Sequence, residues 1–163
     1  MVAALEEDYD VTVITQNIDD LHERAGSTNI IHLHGELLKA RPAKGDGGIV
    51  DWSGDINLGD TDDKGTQMRP HIVWFGEGVP EIENAARVVS QADLIIIIGT
   101  SMQVYPAAGL VGYAANSVPV IYIDPKPTIS YELERRGNIH LIEKGGSEGM
   151  ALARNMLPGL LNA

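Results

Sequence analysis

The sequence predicts an α/β fold built on a doubly wound parallel sheet with helices on both faces. Three observations carry that expectation. The runs Val11–Thr15, Leu94–Ile98 and Val118–Ile123 are largely apolar and rich in β-branched residues, as strands are when both faces of a sheet are covered. Segments with apolar residues at helical spacing separate and follow them. Strands and helices alternate along the chain, which requires crossover connections between parallel strands.

In chain order, Val11–Thr15 is the first strand, with Ile30–Leu33 and Ile72–Trp74 as weaker candidates. Pro80–Gln91 places Ile82, Ala85, Ala86, Val88 and Val89 on one side of a helix, and Pro80 suits a first turn. Leu94–Ile98 follows as the second buried strand. Pro106–Asn116, rich in Ala and Gly, reads as a helix packed closely on the sheet. Val118–Ile123 is the third strand and Ile139–Ile142 a weaker fourth. Ser147–Leu157 opens on a capping residue and carries Met150, Leu152, Ala153, Met156 and Leu157. Leu38–Arg69 breaks the pattern, with six Gly, six Asp and no clear period. A structureless loop of that length is rare in a compact domain. It reads as a small inserted module, with Ile49–Trp52 and Ile56–Leu58 as short strands or packing segments and Trp52, Ile56 and Leu58 as its apolar anchors.

Composition narrows the function. A chain of 163 residues, 44% apolar and 21% charged, suits one domain with a buried core. Lys and Arg total 12 against 23 Asp and Glu, a net charge of -11. Such a surface repels phosphate backbones and anionic membranes, so neither nucleic acid nor membrane is an expected partner. With no cysteine, disulfides, thiolate zinc sites and cysteine nucleophiles are excluded. The longest apolar run is too short to span a bilayer. The acidic start lacks the basic region of a secretory signal, so a cytoplasmic location is expected.

Ligands of open parallel sheets bind beyond the carboxyl ends of the strands. The residues there are Gln16-Asn17-Ile18-Asp19-Asp20, Gly99-Thr100-Ser101, Asp124-Pro125 and, opening a helix, Gly145-Gly146-Ser147. Amides, hydroxyls, a carboxylate and glycines suit a ligand with phosphates and ribose hydroxyls. Taken singly, each is equally an ordinary turn or cap. His34, in a His-Gly pair, can serve as a general base near neutrality, and His32 is expected to face away from it. The five histidines show no metal-ligand spacing, so no metal is expected.

Four longer motifs occur together: Thr15-Gln16-Asn17-Ile18-Asp19-Asp20-Leu21-His22, His32-Leu33-His34-Gly35, Arg69-Pro70-His71-Ile72-Val73-Trp74-Phe75-Gly76-Glu77, and Gly99-Thr100-Ser101. In identity and order they resemble the sirtuins, the Sir2-like NAD-dependent protein deacylases. The resemblance covers nearly the whole chain outside residues 38–68. It implies a Rossmann-like NAD-binding domain over residues 1–37 and 69–163, with 38–68 as a small module in place of the family's zinc-binding module. It implies that Gln16, Asn17, Ile18 and Asp19 form the pocket for nicotinamide and its ribose, with Gln16, Asn17 and Asp19 taking part in catalysis and His34 as the general base. Gly99, Thr100 and Ser101 then meet phosphate and ribose, Asp124, Pro125 and Lys126 the adenosine, and Gly146 the adenine. Val73, Trp74, Phe75, Gly76 and Glu77 form the edge that pairs with an acyl-lysine peptide. The implied activity is NAD-dependent removal of acyl groups from protein lysine, giving nicotinamide, O-acyl-ADP-ribose and free lysine.

Two departures stand out. The family's four zinc-binding cysteines are absent, which resembles a zinc-free bacterial branch. The family's N-terminal βα unit, with its Gly-rich phosphate loop, is also absent. A fragment is therefore expected, with a homo-oligomer as one way to cover the exposed edge. A non-catalytic remnant that weakly binds ADP-ribose or a protein partner is the alternative. An oxidoreductase is disfavoured, because no early G-x-G-x-x-G is present.

Overall fold

A computed structural model describes residues 1–45 and 47–162. The chain divides into two compact units, Val13–Pro80 and Met1–Thr12 with Glu81–Ala163.

In the first unit, β1 (Val13–Thr15) and β2 (Ile30–His32) pair in parallel around α1 (Leu21–Arg24), with Thr15 opposite His32. A second, antiparallel sheet follows: β3 (Gly35–Pro42) lies between β4 (Val50–Asp51) and β5 (Met68–Ile72). Pro70 lies within β5, and a proline there is compatible with an edge strand, which needs no ladder on its outer side. The sequence expected a strand at Ile72–Trp74; the strand instead ends at Ile72, and the chain turns after it.

Polar groups hold the Gly- and Asp-rich stretch together more than apolar anchors do. Leu58, expected to pack, is 99% exposed. The Gln67 amide nitrogen lies 2.9, 3.0 and 3.1 Å from the carbonyls of Asn57, Asp60 and Met68, and its oxygen accepts from the Gly59 N–H at 2.8 Å. One Asp62 oxygen accepts from the N–H groups of Lys64 and Thr66, the local hydrogen bonding that makes Asp a turn former.

The other unit contains α2 (Ile82–Ser90), β6 (Ile95–Ile98), β7 (Val120–Ile123), α3 (Tyr131–Glu134), β8 (Ile139–Ile142) and α4 (Gly146–Leu161). The strands form a parallel sheet in the order β6-β7-β8. All four residues of β7 are fully buried. Alternation sends Ile121 and Ile123 to one face, against Leu5, Met150, Ala153 and Leu157, while Val120 and Tyr122 pack on the other against Met102, Val111 and Leu133. Each buried side chain of this size contributes roughly 1.5–3 kcal/mol over leaving it in water.

Helix α4 lies very close to β7 because residue 149 is glycine: a Cβ there would run into the Ile123 side chain. The helix starts one residue earlier than the sequence suggested and continues past Pro158 to Leu161. The Pro158 carbonyl accepts from the Asn162 side chain at 2.6 Å. The expected helix Pro106–Asn116 is a tighter 3-10 segment, Ala107–Tyr113, and Gly109 and Gly112 weaken the α-helical alternative. The buried Arg136 guanidinium donates to the carbonyls of Val111, Ala114, Ala115 and Val118, fixing the entry to β7. Among the described residues no helix is long and apolar enough to cross a membrane.

Candidate functional site

The sequence-predicted residues divide between the two units. Val13–Pro80 carries Gln16, Asn17, Ile18, Asp19, His34 and Val73–Glu77. The other unit carries Gly99–Ser101, Asp124–Lys126 and Gly146.

In the first unit the loop after β1 is fastened carbonyl by carbonyl. The Thr15 carbonyl accepts from the Leu33 N–H (2.9 Å) and the Ile18 carbonyl from the Leu37 N–H (2.7 Å). Between them, the Gln16 carbonyl lies 3.0 Å from His34 Nδ1. A carbonyl can only accept, so Nδ1 carries the proton and neutral His34 keeps its lone pair on Nε2. The Asn17 carbonyl lies 3.4 Å from His32 Nδ1. The expectation that His32 faces away from His34 was wrong: side chains two residues apart on a strand share a face, and these two rings reach successive carbonyls of one loop. The Asn17 N–H donates to Thr15 Oγ1, and the Leu21 N–H donates to an Asp19 oxygen at the start of α1.

Gly35 follows His34 with φ at +83°, and a side chain there would collide with the His71 carbonyl. Only glycine fits both constraints. Burial and the nearby Arg41 charge hold His71 below the usual histidine pKa. The His34 carbonyl accepts from the Val73 N–H at 2.9 Å, joining the base candidate to the predicted peptide-binding segment.

That segment is a tight turn. The Glu77 N–H donates to the Trp74 carbonyl at 3.0 Å, and Gly76 takes φ +88°. The Glu77 carboxylate receives Arg69 at 2.6 and 3.2 Å, Arg41 at 3.4 Å and the Trp74 N–H at 3.0 Å. The Arg69 hydrogen bonds, then the Trp74 N–H, hold its pKa at about 2. The turn presents Trp74, 56% exposed, and Phe75, 101% exposed. The sequence reading missed the two arginines that clamp it.

In the other unit, three strand ends and a helix start converge. Ile98 pairs with Ile123, and Ile123 with Ile142. The Gly99 N–H reaches the Ile123 carbonyl at 2.9 Å, and the Asp124 N–H reaches the Ile142 carbonyl at 3.2 Å. Gly146, at the start of α4, lies against Ile98: a Cβ there would be 3.4 Å from its Cγ2. Gly99, Asp124 and Gly146 thus line the carboxyl edge of one parallel sheet. Gly99 takes φ +59° in open space. Asp124 closes a turn by accepting from the Lys126 N–H at 2.7 Å. Buried Tyr122, which was read only as a strand residue, donates its hydroxyl to the Thr100 carbonyl at 2.8 Å and accepts from the Thr128 N–H. The signal was available: a tyrosine within a buried strand needs a partner for its hydroxyl.

The Sir2 family model matches residues 1–106. An NAD-dependent protein deacylase of Bacteroides thetaiotaomicron is 47% identical over 163 residues, covering 96% of this chain and 68% of the relative. A crystal structure of a Sir2 homolog–NAD complex superposes with a TM-score of 0.79 at 37% identity, covering 97% of this chain and 63% of the other. A Sir2–p53 peptide–NAD+ structure gives a TM-score of 0.72 at 30% identity, covering 96% and 66%. The chain spans about two-thirds of these relatives. The family match, the extent of these likenesses and the strand-end site lead to one assignment: the chain belongs to the Sir2 family.

Proposed function

We propose that this chain performs NAD-dependent removal of acyl groups from lysine side chains of peptides or proteins, giving nicotinamide, O-acyl-ADP-ribose and free lysine. The observation that carries the reading is His34, whose Nδ1 is committed to the Gln16 carbonyl. That commitment directs Nε2, the atom with the lone pair, to act as base.

The residues fit an adenine dinucleotide. Gly99 at φ +59° leaves room for close backbone approach. Helix α4 runs 16 residues and has glycine at its N-cap with no side-chain cap, so its first N–H groups are available to an electron-rich ligand. Gly99, Thr100 and Ser101 would hold phosphate and ribose, Asp124, Pro125 and Lys126 the adenosine, and Gly146 the adenine. Gln16, Asn17, Ile18 and Asp19 would hold nicotinamide and its ribose. When bound, NAD supplies a ribose carbon with nicotinamide as its leaving group. His34 Nε2 would be the group to accept a proton from a ribose hydroxyl, and Gln16, Asn17 and Asp19 would orient that ribose.

Val73–Glu77 would receive the acyl-lysine peptide, with Trp74 and Phe75 offering apolar surface beside it. A Sir2 relative solved with a p53 peptide and NAD+ supports a peptide as the class of substrate. A homo-oligomer would form by pairing along β6, an edge strand of its sheet.

The test incubates the chain with NAD and an acetyl-lysine peptide and follows three products by mass spectrometry. Deacetylated peptide, nicotinamide and O-acetyl-ADP-ribose should appear in step. Absence of all three overturns the reading for this chain, and nicotinamide release without peptide turnover overturns the peptide assignment.

A further inference from the structure

We propose that His32, acting with Glu23, is a positioning residue that fixes the loop 16–19 for its ligand; the inference rests on the NAD-dependent reading of that loop. Four successive carbonyls, from Thr15 to Ile18, each have a donor. The donors to Thr15 and Ile18 are backbone N–H groups. The two in the middle are the histidine rings. The contact to Asn17 is the longest, at 3.4 Å, and Asn17 is the exposed residue of the loop. Its hold therefore depends on how firmly the His32 ring is kept in place.

Glu23 keeps it. His32 Nε2 lies 2.7 Å from Glu23 Oε1, and the His32 side chain is 9% exposed. Glu23 belongs to α1, directly after the loop. One ring thus bridges Asn17 to α1 across the segment that carries Asp19 and Asp20. Burial works against the charge on Glu23, but the His32 hydrogen bond, its own backbone and the charges of His32 and His22 hold it below the usual carboxylate pKa. Glu36 also faces the pair, with ligand atoms of Glu23, His32 and Glu36 within 4.8 Å of one another. Lys39 binds Glu36 at 2.9 Å, so the charge of Glu36 is paired within its own strand, and the contact that holds the ring is the one to Glu23.

The arrangement gives His32 and His34 different tasks on one loop. His34 holds Gln16 and offers Nε2 to the reaction. Both His32 nitrogens face acceptors, so the full bridge has an N–H on each, and His32 reaches the ligand only through Asn17.

The test has two arms. The first needs no ligand: amide hydrogen exchange in the full chain. His32→Ala and Glu23→Ala should each speed exchange roughly tenfold at Asn17, Leu21, Arg24 and Ala25, as expected for losing a charge-assisted hydrogen bond. The double variant should be no worse than either single one, because the two act as one unit. His32→Gln, whose amide can donate to both acceptors, should restore much of the protection. The amides of Val13 and Leu33 should be unchanged. Equal acceleration everywhere, or none at 17–25, overturns the proposal. The second arm is calorimetry with NAD and with ADP. His32→Ala should weaken NAD roughly tenfold and leave ADP unchanged; equal loss of both overturns the proposal. If the unmodified chain binds neither, the reading of the site as NAD-dependent fails, and the exchange arm still decides the role of His32.

Discussion

The backbone carbonyl of His34 accepts from the Val73 N–H at 2.9 Å, while its ring donates to the Gln16 carbonyl at 3.0 Å. One residue thereby ties the loop after β1 to the segment that leads into the exposed turn. The two bonds separate the structural part of His34 from its chemical part. His34→Asn places an amide N–H near the position of Nδ1 and removes Nε2. It should keep the fold and the link to Gln16 and lower deacylation by about 100-fold or more, the range for loss of a general base. Circular dichroism and the product assay together check it. A variant that folds and turns over normally refutes the role.

Gly35→Ala should destabilise the chain by about 3 kcal/mol, combining backbone strain with a collision against the His71 carbonyl. Gly26→Ala provides the control. Gly26 has φ +93° but nothing near its missing Cβ, so only the backbone cost of about 1–2 kcal/mol should appear. Urea unfolding of both variants measures the difference, and equal losses would remove the close-approach explanation.

Glu77 should titrate near 2 in an NMR pH series, against an ordinary value of 4.5, because Arg69 hydrogen-bonds its charged form. The sign follows directly. A carboxyl depressed in the folded state adds stability in full above about 4.5, and that contribution is lost as the pH falls through about 2. Arg69→Gln should return Glu77 toward 4.5 and free the turn at Trp74–Glu77. A titration unmoved by the substitution would show that another group holds the carboxylate.

Phe75→Ala should leave stability within about 0.5 kcal/mol of the parent, because a fully exposed ring has no packing to lose. The same change should raise KM for an acyl-lysine peptide several-fold with little effect on kcat. Thermal denaturation and steady-state kinetics read the two effects separately. A drop in melting temperature would show that the ring packs somewhere.

Much of the parallel sheet could be read from residues 94–98 and 118–123, because burial on both faces leaves continuous β-branched runs. The strand-end positions Gly99 and Asp124 followed from those runs, and Gln16 from Val11–Thr15. Most of the antiparallel sheet was hidden, although β4 lies within the expected short strand Ile49–Trp52. β3 holds Lys39 and Arg41, β5 holds Pro70, and the register shifts between Glu36 and Ala40, so no clean alternation survives. The Gln67 hub and the Arg69–Glu77 clamp were unreadable for another reason. Their partners are brought together by the folded backbone, and nothing in their spacing marks them. The 3-10 segment at Ala107–Tyr113 shows a third limit, since an Ala/Gly-rich run has helical composition without enough propensity to keep the wider turn.

The division of the chain has a consequence for the order in which the protein is made. Leu5 belongs to the same buried cluster as Ile121, Ile142 and Leu157, yet the whole of Val13–Pro80 is translated between them. At about 5–20 residues per second, residues 1–12 wait on the order of ten seconds for their partners to leave the ribosome. Val13–Pro80 is contiguous and can close first. Leu5, Tyr9 and Val11 therefore meet their partners only once Glu81–Ala163 has been made, so the unit they belong to is the later of the two to close.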